Sequence, residues 1–139
     1  MRIAVIDGQG GGIGKAIVER LKSNFGESIE ILVLGTNALA TSLMIKAGAN
    51  EGASGENAIA LNACKVDIII GSIGIIAANA MLGELTPKMA NAIAESPARK
   101  ILIPLNRCNI EVVGVCNEPL PHYIDLAMVA VKKICEGGK

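Results

Sequence analysis

Five of the seven residues from Gly8 to Gly14 are glycine, and the run stands between an apolar stretch and an amphipathic one. Each glycine gives up more chain entropy on folding than any other residue, so a loop this rich in glycine needs a reason. Ile3-Ala4-Val5-Ile6 just before it is the continuous apolar pattern of a strand buried on both faces. After it, Ile13, Ile17, Val18 and Leu21 share one side of a helix, and Gly26 stands where a C-terminal cap is expected. Strand, glycine turn and helix in that order make an anion site, because the helix N-terminus presents free N–H groups and the positive end of its dipole. Gly8, Gln9, Gly10, Gly11, Gly12, Ile13 and Gly14 are therefore the first candidates for holding a phosphate-bearing cofactor.

Three phosphate-loop patterns test the run. The dinucleotide pattern G-x-G-x-x-G fails, since its sixth position falls on Ile13 or Lys15. The nucleoside-triphosphatase pattern also fails: Gln9 replaces its first glycine, and Ala16 replaces the hydroxyl that would bind magnesium. Gly8-x-x-x-Gly12-x-Gly14 fits the G-x-x-x-G-x-G turn and resembles the opening of short-chain dehydrogenases over about the first twenty residues. That resemblance implies a nucleotide cofactor such as NAD(P), with its pyrophosphate on the turn. Two departures remove the chemistry that accompanies the turn in that family. Leu34-Gly35-Thr36-Asn37 offers no acid for the ribose and no Arg for a 2′-phosphate. The one tyrosine, Tyr123, is followed four residues later by Ala127 rather than by Lys.

Further along, Ile29 to Leu34 reads as a second strand, Ala38 to Ala47 as a helix capped by Asn37, and residues 50–53 as a short third strand. Glu56 to Cys64 reads as a helix and Val66 to Ile70 as a central strand ending at Gly71. Thr86-Pro87 is a helix start, with a capping hydroxyl before proline at the first helical position, and Ser96-Pro97 ends that helix. Lys100 to Leu105 and Ile110 to Val115 read as strands, and the short link between them requires an antiparallel hairpin. His122 to Cys135 is a final helix. Strands alternating with helices predict one Rossmann-like three-layer α/β domain over residues 1–139: a mostly parallel sheet in the order 3-2-1-4-5-6, a C-terminal antiparallel hairpin and a last helix.

Ligands of such sheets sit outside the carboxyl ends of the strands. Besides the glycine run, those ends supply Thr36, Asn37, Gly71, Ser72 and Gly74, all cofactor-binding candidates, and Leu105-Asn106. Thr36 and Asn37 suit either a ribose or the cap of the next helix. The glycines at 71 and 74 suit either a ligand or relief of crowding. The uncharged stretch ending at Glu84, with Asn79 inside it, suits a lid or an apolar interface. Arg107 and Cys108 stand at the hairpin tip, as an anion partner or nucleophile on one reading and as solvated residues on the other. His122 is the one histidine and cannot build a histidine-rich metal site, and no metal motif is present. No catalytic residue emerges.

Composition narrows the classes. Lys plus Arg equal Asp plus Glu at 13 each, with one Tyr, one Phe and no Trp, so neither a basic stripe nor a stacking surface is available for nucleic acid. The longest uncharged stretch, residues 68–83, is shorter than the roughly 20 residues that span a bilayer. Cys64, Cys108, Cys116 and Cys135 form no Cys-x-x-Cys pair, and the chain enters a strand without a leader, which predicts free thiols in the cytoplasm. At 51% hydrophobic residues, a small chain with an aliphatic core is expected to bury further surface as a homo-oligomer.

The stretches VIDGQGGGIGK, LGTNALAT, GANEGASGENAI, GELTPKMANAI and ILIPLN resemble, over nearly the full length, a family of short bacterial proteins known only as a domain of unknown function. That resemblance implies a stand-alone Rossmann-like protein and assigns no catalytic residue. The sequence thus predicts a protein that binds a nucleotide cofactor, NAD(P) or another, with the reaction undefined. The alternative is a non-catalytic ligand sensor or an oligomeric assembly subunit.

Overall fold

Side chains alternate between the two faces of the central strand, and both faces are covered. In the computed structural model, which describes residues 1–105 and 109–137, Arg2–Asp7 forms strand β1. Ile3 and Val5 join one buried cluster with Ile17, Val18 and Leu21, while Ala4 and Ile6 join a second with Ile59, Met89 and Ile93. Four more strands, β2 (Glu30–Gly35), β3 (Glu51–Ser54), β4 (Ile68–Ser72) and β5 (Arg99–Ile103), complete the sheet. Every pairing is parallel, and the order is β3-β2-β1-β4-β5.

Helices α1 (Gly12–Phe25), α2 (Ala38–Lys46) and α5 (Leu120–Cys135) pack on the first face, and α3 (Glu56–Asn62) and α4 (Pro87–Glu95) on the second. These are the three layers expected. The chain runs outward from β1 through β2 to β3, then returns to place β4 on the other side of β1. The switch point of the sheet therefore lies between β1 and β4, and connections leaving in opposite directions open a crevice there.

The expected C-terminal hairpin is not formed. Residues 110–115 make no strand, and β5 closes the sheet as a parallel edge. The backbone explains the failure. Asn109 (φ 58°) and Gly114 (φ 91°) are left-handed, and Val115 N–H donates to Val112 C=O at 3.4 Å, so this stretch turns on itself instead of extending. Pro104 immediately after β5 also has no N–H to offer a ladder. The hairpin tip holding Arg107 and Cys108 lies outside the described residues.

Candidate functional site

The glycine loop sorts into two sets by what each glycine touches. Gly8, Gly11 and Gly14 are buried. A side-chain carbon on Gly8 would lie 2.3 Å from Thr36 Oγ1 and 2.6 Å from Met81 Sδ. One on Gly14 would lie 2.3 Å from Met44 Sδ and 2.9 Å from Asp7 Cβ. Gly11 has φ 76° and faces the α2 backbone at Ala40, 2.8 Å away. These three serve close packing and turn geometry. Gly10 and Gly12 are exposed, have ordinary φ, and would meet nothing within 4 Å among the described residues. No described residue gives a steric reason for glycine at either position.

Asp7, buried at the end of β1, braces the turn from below. One carboxylate oxygen accepts from Gly8 N–H at 2.8 Å and the other from Gly14 N–H at 2.6 Å. It thereby supplies the cap that Gly11, which lacks a side chain, cannot give α1. Lys15 N–H is held by Gly11 C=O. The N–H groups of Gly10, Gly12 and Ile13 take no partner among the described residues.

Those free donors edge a cavity of about 550 Å³. Its polar side is Asp7, Gly8, Gln9, Gly10, Gly11, Gly12, Ile13, Ser72 and Gly74, and its apolar side is Ala80, Met81, Leu82, Leu105 and Leu120. Size and a mixed lining of this kind are those of small-molecule sites. No Lys or Arg lines it among the described residues, where N–H groups and the positive end of the α1 dipole are what it offers an anion.

Of the other candidates named from sequence, Ser72 and Gly74 line the cavity, whereas Gly14, Thr36, Asn37 and Gly71 do not. Asn37 is the N-cap of α2, its side chain accepting from Ala40 N–H at 2.8 Å. A side-chain carbon on Gly71 would stand 2.7 Å from Ile6 C=O, so this glycine lets β4 lie close to β1. His122 is exposed at the start of α5, on the rim of a second, apolar cavity of about 430 Å³ beside β5.

Sequence reasoning missed what Glu84 does. Its Oε1 accepts from the backbone N–H of Gln9 (2.9 Å), the hydroxyl of Thr36 (2.7 Å) and the side-chain amide of Asn37 (2.8 Å). The Thr36 hydroxyl and then the Gln9 N–H, helped by Asn37, hold the carboxyl below its ordinary value against the opposing effect of partial burial. The segment before it is tightly wound: Asn79, Met81 and Leu82 all have positive φ, and Asn79 N–H and Leu85 N–H close the loop onto Leu85 C=O and Ala80 C=O. The one sequence signal was an acid at the end of an uncharged loop.

Among the described residues, no group of His, Cys, Asp and Glu is arranged to hold a metal ion, and no helix is long and apolar enough to cross a membrane.

A family model described as "Domain of unknown function (DUF3842)" matches residues 2–136. No match was found among curated proteins. Among solved structures, the chain is similar to a dodecameric FMN-dependent UbiX-like decarboxylase from Escherichia coli O157:H7, at 14% identity and a TM-score of 0.43, covering 96% of this chain and 75% of that one.

Proposed function

The chain belongs to the DUF3842 family, a domain of unknown function, and from that premise we propose that it binds a nucleotide whose phosphate rests on Gly10, Gly12 and Ile13. One observation carries this reading: Gly10 and Gly12 are glycines that no described residue requires, and both line the cavity beside N–H groups without a partner among the described residues. A side chain at either would fill the space a phosphate needs. The apolar wall of Leu82, Leu105 and Leu120 suits the ring of a nucleotide. NAD(P) is one member of this ligand class. The proposal is for binding and names no reaction. The exposed thiols of Cys64, Cys116 and Cys135 fit the reducing cytoplasm.

Isothermal titration with AMP, ATP, FMN, CoA, NAD, NADP and FAD tests the reading. Binding of at least one, lost in Gly12→Val while the circular dichroism spectrum is kept, is the expected result. No heat from any of them, or equal affinity in the variant, refutes it.

A second reading, an assembly subunit, is favoured by Leu126 and Val129, 53% and 61% exposed and three residues apart on α5. Light scattering would report a homo-oligomer, and a monomer at all concentrations would count against it.

A further inference from the structure

An extended dinucleotide on a doubly wound sheet straddles the switch point. One nucleotide lies over the β1–β2 side, its ribose held at the end of β2, and the other lies toward β4 and β5. In this chain the first half of that crevice is already filled. Glu84 Oε1 sits among Gln9 N–H, Thr36 Oγ1 and Asn37 Nδ2, which bridges the glycine loop to the end of β2. Met81 Sδ comes so close above Gly8 that a side-chain carbon there would be 2.6 Å away. Thr36, Asn37 and Glu84 are absent from the cavity wall, which is drawn from the glycine loop, Ser72, Gly74, the segment 80–82, Leu105 and Leu120. Among the described residues, the cavity opens on the half facing β4 and β5.

We infer that the site takes a mononucleotide, and that Met81 and Glu84 occupy the place of a dinucleotide's second half. This rests on the phosphate reading above. Unpaired N–H groups at Gly10, Gly12 and Ile13 suit the three terminal oxygens of a phosphomonoester, whose oxygens are strong acceptors. The base or ring then lies against Leu105 and Leu120, and nothing extends toward β2. Glu84 is a positioning residue here: it ties residues 77–85 down over Gly8 and does not touch the ligand.

The test titrates the wild-type protein with AMP and FMN, and in parallel with NAD, NADP and FAD. At least one mononucleotide should bind about tenfold or more tighter than every dinucleotide. Glu84→Ala and Met81→Ala, each checked by circular dichroism, should narrow that gap by admitting the dinucleotide. Met81→Ala is read beside Glu84→Ala because it leaves the three hydrogen bonds in place. A wild-type protein that binds NAD, NADP or FAD as tightly as the mononucleotides overturns the inference and leaves the phosphate reading standing. An unchanged gap in a folded variant overturns the part given to Met81 and Glu84. Binding of neither class overturns the inference, and if ATP and CoA also give no heat the phosphate reading falls with it.

Discussion

The hydroxyl of Thr36 donates to the carboxylate of Glu84 at 2.7 Å, across 48 positions of sequence. Thr36 follows the last residue of β2, where a Rossmann-type nucleotide site ordinarily carries its ribose acid. The acid missing from that place in the sequence is thus present in space, delivered by the connection between β4 and α4. It comes already bonded to three protein donors, so it serves the protein's own loops.

Glu84 should make stability depend on acid. Its carboxyl is held below the ordinary value of 4.5 in the folded state, so the unfolded chain binds more protons in the window beneath that value. The contribution is present in full above pH 4.5 and is lost as pH falls through the lower, folded-state value. Chemical denaturation from pH 6 to pH 3 should show a loss of stability that is smaller in Glu84→Gln. An identical pH profile in the variant would remove Glu84 from the account.

Two glycines only two positions apart should respond to alanine with opposite sign. In Gly14→Ala the new methyl meets Met44 Sδ and Asp7 Cβ, and overpacking of this kind costs about 1–3 kcal/mol. In Gly12→Ala it meets nothing, and the reduced freedom of the unfolded chain should stabilise the fold by about 0.4–1 kcal/mol. Urea denaturation of both variants measures the pair. Destabilisation by Gly12→Ala would mean that the fold does need that glycine.

How much of this was legible follows from where each signal resides. The buried strands were legible because burial on both faces leaves continuous apolar runs, as in Ile68 to Ile70. The cap at Asn37 and the Thr86-Pro87 start were legible because their hydrogen bonds close within three residues, on Ala40 and Met89. The sequence also pointed to the glycine loop as a unit, but not to the division within it, since Gly8 and Gly14 are fixed by Met81 and Met44 from distant elements. Glu84 was illegible as a partner of Thr36 for the same reason. The false hairpin came from apolar content at 110–115, which strand preference alone overweighted: Val112, Val113 and Val115 stay exposed, with left-handed residues at Asn109 and Gly114.

Asp7 should matter to stability before it matters to any ligand. Asp7→Ala leaves the buried Gly8 and Gly14 N–H groups without their acceptor, at about 1–3 kcal/mol for a stranded donor. Asp7→Asn keeps one oxygen and should lose less. The expected order of denaturation midpoints is wild type, then Asn, then Ala. A midpoint for Asp7→Ala equal to wild type would show that water replaces the carboxylate at no cost.

Tyr123 should govern how firmly the segment after β5 is held. Its hydroxyl donates to the carbonyl of Cys116 and accepts from Glu118 N–H at 3.1 Å, tying an otherwise exposed stretch to the first turn of α5. The ring itself is buried against the core shared by α1 and α5, so Tyr123→Phe removes the two hydrogen bonds and leaves the packing. The global cost should be about 1 kcal/mol. The local effect should be larger in kind: the amide of Glu118 loses its acceptor and becomes open to solvent. Hydrogen exchange over residues 112–119 should accelerate in Tyr123→Phe while exchange in β1 and β4 keeps its rate relative to global stability. Unchanged protection at Glu118 would mean that backbone contacts alone hold the segment against α5.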